Sequence, residues 1–172
     1  MKQLQLEELG RLSVEEYKKQ PKKEIVVILE NVRSGHNVGT VFRTADAFLI
    51  EKIILTGFTP IPPHVEIQKT ALGATEAVAW EYHADILAYI ESIKQQGYII
   101  IAVEQTDRSI LLPTIKTPPK KWALIFGHEV TGISQATLEV CDFAIEIPQY
   151  GTKHSLNISV AAGIVLYTLT HL

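Results

Sequence analysis

Short apolar runs rich in β-branched residues recur along the chain, at Ile25–Leu29, Lys52–Thr56, Val78–Tyr82, Tyr98–Val103, Trp122–Phe126 and Phe143–Ile147. The first of them, Ile25-Val-Val-Ile-Leu29, has no polar position at all. That is the pattern of a strand buried on both faces, not of one with a solvated side. Helical patterns separate several of the runs. Val38, Val41, Phe42, Ala45 and Phe48 fall at helical spacing within Asn37–Phe48, a second helix over Ala84–Gln96 is ended by Gly97, and a third begins near Ser155. Parallel neighbours need crossover connections, so doubly buried strands alternating with helices predict an α/β fold, a mainly parallel sheet with helices on both faces. Ligands of such sheets sit beyond the carboxyl ends of the strands, which directs attention to the residues that follow each run.

The 172 residues suit one domain with its own core, and 47% apolar against 20% charged residues is the balance of a globular chain. We expect a single domain over 24–172, preceded by a polar arm over 1–23 in which Ser13-Val-Glu-Glu16 is a capping-box pattern for a short helix ending before Pro21. The Pro-rich stretch Leu112–Lys121 reads as a loop between strands. A net charge of -3 argues against coating nucleic acid through bulk charge and leaves room only for a local basic patch. Cys141 is the single cysteine, and MKQLQLEELG carries charges where a signal peptide needs an apolar run, so a cytoplasmic protein is expected. The stretch Ile158–Leu169 is shorter than the ~20 residues a bilayer span requires, so no membrane role is expected.

No G-x-G-x-x-G, G-x-x-x-x-G-K-[ST] or G-x-S-x-G occurs, which disfavours dinucleotide enzymes, P-loop NTPases and the common α/β hydrolases. The histidines, at 36, 64, 83, 128, 154 and 171, form no H-E-x-x-H pair, and no metal is expected. Three polar clusters do follow strands. After Leu29 come Glu30, Asn31, Arg33, Asn37, Gly39 and Arg43. There Asn37 is a suitable helix cap, Gly39 admits close approach of a backbone or ligand, and Arg43 either pairs with Asp46 on a solvated face or has a task of its own. After Phe126, Gly127-His-Glu129-Val-Thr-Gly132-Ile-Ser134 is a plain turn or a backbone curl around a ligand. After Ile147, Pro148–Ser159 runs into an almost wholly apolar helix, with Ser155 as a plain N-cap or as a site residue together with Asn157.

In this order the clusters resemble the SpoU (TrmH-like) family of RNA ribose 2′-O-methyltransferases, within the SPOUT superfamily. Asn37-x-Gly39-x-x-x-Arg43, Leu124-Ile-Phe-Gly127-His-Glu129-Val-Thr-Gly132-Ile-Ser134 and Ile147-Pro148-x-x-Gly151-x-x-x-Ser155-Leu156-Asn157-Ile-Ser159-x-Ala161 are similar to its three motifs, and the resemblance covers roughly residues 25–172. It implies a C-terminal trefoil knot, S-adenosylmethionine as cofactor, tRNA or rRNA as partner, and a homodimer in which Arg43 of one subunit lies beside the other's cofactor. Carried over by motif, Gly127, Ile147 and Leu156, with Val103, would line the cofactor. Glu129, Ser155 and Asn157 would wall the ribose. Arg43 would be the key catalytic residue, as a base or, since a guanidinium holds its proton above pH ~12, as a holder of phosphate and stabiliser of negative oxygen. Asn37 would face the RNA, and phosphate contacts are expected from Arg33, Lys22 and Lys23, together with Arg11, Lys18, Lys19, Lys116, Lys120 and Lys121. Two rivals remain: a non-catalytic RNA-binding or assembly factor that kept the knot, and a base methyltransferase of the same superfamily.

Overall fold

The computed structural model describes residues 1–117 and 120–172, so Pro118 and Pro119 of the expected connector lie outside the described residues. A 3-10 turn at Leu6–Leu9 and helix α1 (Val14–Lys19) precede β1 (Lys23–Glu30), α2 (Gly35–Ala47) and β2 (Ile50–Thr56). Then come α3 (Val65–Ala71), α4 (Ala74–Ala77), β3 (Ala79–His83), α5 (Ile86–Lys94), β4 (Ile99–Val103) and β5 (Ile110–Leu111). A second 3-10 turn at Leu112–Thr114 leads to β6 (Trp122–Phe126), α6 (Gln135–Val140), β7 (Phe143–Glu146) and α7 (Ile158–Thr170). The strands form one seven-stranded sheet in the order β3-β2-β1-β6-β4-β7-β5. Every pairing in it is parallel.

Alternation along the strands divides the core in two. Ile25, Val27 and Leu29 of β1, with Leu124 and Phe126 of β6, face the cluster that α1, α2, α3, α4 and α7 complete. Val26 and Ile28, with Ala123 and Ile125, face Tyr89, Ile90 and Ile93 of α5 and Leu138 and Val140 from the α6 segment. Helices therefore cover both faces, as the doubly buried runs predict. The arm joins this core through Tyr17, only 5% exposed. The Lys22 ammonium lies 4.0 Å from the centroid of the Tyr17 ring and donates to the carbonyls of Tyr17 and Gln20, closing the end of α1. Of the two alternatives for Arg43, the pair with Asp46 does not form. Arg43 is exposed with no ion pair among the described residues, and burial pushes the Asp46 carboxyl up despite the nearby charges of Arg11 and Lys22.

Neither candidate helix cap fills that position. Ser34, not Asn37, caps α2, its hydroxyl accepting the Asn37 amide at 3.3 Å, and this places Asn37 in the first turn with its side chain available. Asn157, not Ser155, caps α7 by accepting the Ser159 amide at 2.9 Å, so that helix starts at Ile158. The short helices α3, α4 and α6 and the two-residue β5 were not expected, because none is long enough to show a periodic pattern. Gly39 is where α3 meets α2. A Cβ there would stand 2.1 Å from the Thr70 hydroxyl and 2.3 Å from the Ile67 carbonyl. The close approach its lack of side chain permits is to a helix backbone. Gly39→Ala is expected to lower stability by about 1–3 kcal/mol through this overpacking, although alanine favours helix by ~1 kcal/mol on propensity alone. An unchanged urea midpoint would contradict the packing.

Candidate active site

The ends of β4, β6 and β7 and the polar turn before α7 enclose a cavity of about 320 Å3. Val103, Gly127, Ile147 and Leu156, the residues expected around a cofactor, all line it, with Glu104, Phe126 and Ile158. The apolar side chains form walls, while the turns on either side bring backbone N–H and C=O groups to its rim. Apolar walls with a few polar groups suit a flat heterocycle carrying hydroxyls, and the volume lies within the range of small-molecule sites.

The turn after β6 is the most constrained part of the cavity wall. The amide of His128 donates to the Gly132 carbonyl at 3.1 Å and the Gly132 amide returns to the His128 carbonyl at 2.9 Å. This closes the chain on itself so tightly that a Cβ on Gly127 would stand 2.3 Å from the Gly132 carbonyl carbon and 2.4 Å from the Ile133 nitrogen. Gly132 has φ +69°, which few side chains tolerate. Two carboxylates hold the curl from outside. Glu104 accepts the Ile133 amide at 3.1 Å. Glu30, only 3% exposed, accepts the Ser134 amide at 3.2 Å and the hydroxyls of Ser134 and Thr137 at 2.8 Å each. The turn is thus held in one shape by its own backbone and by two carboxylates.

A hydrogen-bonded chain joins the three polar clusters. The Glu129 carboxylate accepts the amides of Arg33 at 3.0 Å and Ser34 at 3.1 Å, and the Asn37 side-chain amide at 3.1 Å. Asn37 Oδ1 in turn accepts from the Asn157 side-chain amide at 3.1 Å. Burial would raise the Glu129 pKa, but those donors outweigh it and hold the carboxyl below its ordinary value. Glu129 is therefore an anion that fixes the β1–α2 turn. Its folded-state pKa is depressed, so its contribution to stability is fully present above the ordinary value of 4.5 and is lost as pH falls below it. Glu129→Gln should turn one amide donor toward another, lower the melting temperature at pH 7 and flatten its acid-side decline; a decline as steep as in the parent chain would contradict this role.

The remaining expected residues divide by position. Ser155 lines the cavity, and Arg33 is exposed beside Glu129. Lys22 precedes β1, Lys23 opens it, and Lys121 precedes β6, so they stand at the amino edge of the sheet. The eight residues of β1 span roughly 25 Å, which separates Lys22 and Lys23 from the carboxyl edge where their own chain's cavity lies. The fold does not bring Lys22 or Lys23 to this site, and Lys22 is engaged in closing α1. Arg43 does not line the cavity either. Glu30 and Glu104 were not singled out as site residues, and only the placement of a carboxylate after a buried strand could have marked them. Among the described residues no group of His, Cys, Asp and Glu could hold a metal ion, and no helix is long and apolar enough to cross a membrane.

Residues 24–167 match the SpoU rRNA Methylase family. The chain belongs to that family. Among its relatives is the 23S rRNA (guanosine-2′-O-)-methyltransferase RlmB of Neisseria meningitidis serogroup B, 31% identical over 142 residues that cover 83% of this chain and 56% of the relative. Two crystal structures superpose with a TM-score of 0.81. One is the A. aeolicus TrmH/SpoU tRNA modifying enzyme, 27% identical, with 92% of this chain and 79% of that one covered. The other is the AdoMet-bound rRNA methyltransferase of Sinorhizobium meliloti, 29% identical, with 90% and 59% covered. This SpoU-family chain thus spans little more than half the length of the curated relative it matches.

Proposed function

We propose that this SpoU-family protein is an S-adenosylmethionine-dependent RNA methyltransferase that transfers a methyl group to a ribose 2′-hydroxyl of tRNA or rRNA. The hydrogen-bonded chain from Glu129 through Asn37 to Asn157 carries this reading, because it assembles all three family motifs at the mouth of a cavity suited to the donor. The activity of the Neisseria relative and the donor-bound Sinorhizobium structure support it.

The donor fits the residues present. Ile147 and Leu156 offer walls for adenine, Val103 and the Gly127 curl offer approach to backbone groups, and Ser155 is a hydroxyl at the rim. When bound, the donor supplies a methyl already activated by a sulfonium charge. What remains for the chain is to aim the 2′-oxygen and ease the loss of its proton. Asn37 and Asn157 are fixed to each other, which orders the polar wall against which a ribose would rest. Arg43 has the task left over: its planar fork suits a phosphate or a developing oxyanion. Arg33, exposed beside Glu129, can meet a neighbouring phosphate, and Lys23, exposed at the amino edge, would reach RNA bound at a partner's site, whereas Lys22 is held at the end of α1.

A homodimer supports that arrangement. Arg43 is exposed and away from its own cavity, and α7 leaves Val160, Ile164 and Tyr167 exposed beside a Phe48, Tyr167 and His171 ring cluster. Sedimentation is expected to give a dimer near twice the 19.2 kDa chain mass, and a fully active monomer would overturn the shared site. The trefoil knot belongs to the same proposal. From β4 the chain passes beyond the place of β7 to form β5, then returns across β7 and β4 to form β6, and β7 lies inside that excursion, an order that suits a threaded chain. The knotted domain is taken as 24–172, with 1–23 as an arm, and the setting as cytoplasmic, in keeping with an RNA substrate and the free Cys141. Calorimetry with S-adenosylmethionine, followed by label transfer from it to RNA of a strain lacking this gene, tests the activity. Donor binding with transfer is expected; donor binding without transfer would favour the assembly-factor rival, and no binding would end the reading.

A further inference from the structure

The turn after β2 presents an aromatic ring that nothing in the core accounts for. Phe58 is 61% exposed. Its turn is nevertheless pinned on every side. The Phe58 amide donates to Asn31 Oδ1 at 3.2 Å, the Tyr82 hydroxyl donates to the Gly57 carbonyl at 2.9 Å, and the buried Thr59 hydroxyl accepts the Val32 amide at 3.0 Å while donating to the Leu29 carbonyl at 3.1 Å. Asn31 adopts φ 55° and Gly57 φ 62°, and a Cβ on Gly57 would stand 1.9 Å from Asn31 Oδ1, so the turn is built tightly for its shape. The ring itself meets His128 edge to face, with centroids 5.8 Å apart at 77°. His128 is also immobilised, since its Nδ1 accepts the amides of Val130 and Thr131 at 3.1 Å each.

This pair bridges the first two polar clusters. His128 lines the cavity and precedes Glu129, and Asn31 lies two residues before Arg33, whose amide Glu129 holds. A rigid, solvent-facing ring contributes little to folding but offers a flat surface at low entropic cost. We propose that Phe58, steadied by His128, is the shelf on which a nucleobase of the substrate RNA stacks when its ribose enters the site. The proposal rests on the methyl-transfer reading and adds a positioning residue to it. Stacking makes no use of base identity, so the shelf sets position more than sequence choice. Arg33, two residues beyond Asn31 and exposed, adds a cation for a phosphate of the bound RNA.

Phe58→Ala, Phe58→Leu and Phe58→Tyr are to be compared in methyl transfer to RNA from a strain lacking this gene, with donor affinity measured separately by calorimetry. Loss of stacking should raise the KM for RNA roughly ten-fold or more in Phe58→Ala and Phe58→Leu, with a much smaller change in kcat. Phe58→Tyr should restore a KM near that of the parent chain. Donor affinity should stay constant across the series, which separates a lost shelf from a collapsed cavity. A KM that alanine leaves unchanged would overturn the shelf and favour a protein partner for this ring. Leucine performing as well as phenylalanine would also overturn it, since bulk would then suffice. If the parent chain transfers no methyl group at all, the underlying reading fails first and the shelf with it.

Discussion

Arg43→Ala will slow methyl transfer severely while leaving the donor bound. The guanidinium has no ion pair among the described residues and is exposed on α2, so removing it costs the fold little. It lies outside the cavity of its own chain, and its proposed partners are the RNA phosphate and the reacting oxygen rather than the donor, so donor affinity should not change. The expected loss in kcat is roughly 10²- to 10³-fold, the effect of removing a group that steadies developing negative charge. Arg43→Lys keeps the charge but not the fork and should recover only part of the rate. If that variant methylates and binds RNA like the parent, Arg43 has neither role. Subunit mixing gives the sharper result. Arg43→Ala dimers combined with dimers of a cavity variant, Leu156→Glu, should regain activity, because a mixed dimer holds one intact cavity beside one intact arginine. No recovery on mixing would place both groups in one chain's site.

Gly127→Ala is the second large effect. A methyl group 2.3 Å from the Gly132 carbonyl carbon and 2.6 Å from its oxygen meets backbone that Glu30 and Glu104 hold in place, so there is no side chain to swing aside. The curl must open, at about 1–3 kcal/mol or more. Donor affinity should fall at least ten-fold, because the cavity wall moves with the curl. Calorimetry at a temperature well below the variant's melting point keeps the two effects apart. Unchanged affinity in a folded variant would mean that the curl is not part of the donor site.

The strands were legible because their signal is local: a run such as Ile25–Leu29 carries its burial in five consecutive residues. The site was legible only as a set of fragments. Glu129 bonds to Asn37 across 92 positions and Asn157 to Asn37 across 120, and no spacing rule reaches so far. Gly127 and Gly39 both read as places of close approach, yet what approaches is a backbone, of the same turn in one case and of α3 in the other. Asn37 and Ser155 had the chemistry of helix caps, but Ser34 and Asn157 occupy those positions, which leaves Asn37 to the site. Lys22 and Lys23 read as phosphate contacts from charge alone, and only the all-parallel sheet reveals that they stand at the opposite edge. Phe58 gave no signal, since an aromatic residue in a turn between a strand and a Pro-rich segment is as readily core as surface.

Alkaline digestion of RNA methylated with labelled S-adenosylmethionine tests the central claim most directly. A methyl on the 2′-oxygen removes the nucleophile that alkali needs to cut the adjoining phosphodiester. The account predicts label in an alkali-resistant dinucleotide. Label released in a mononucleotide, carried on the base, would contradict it.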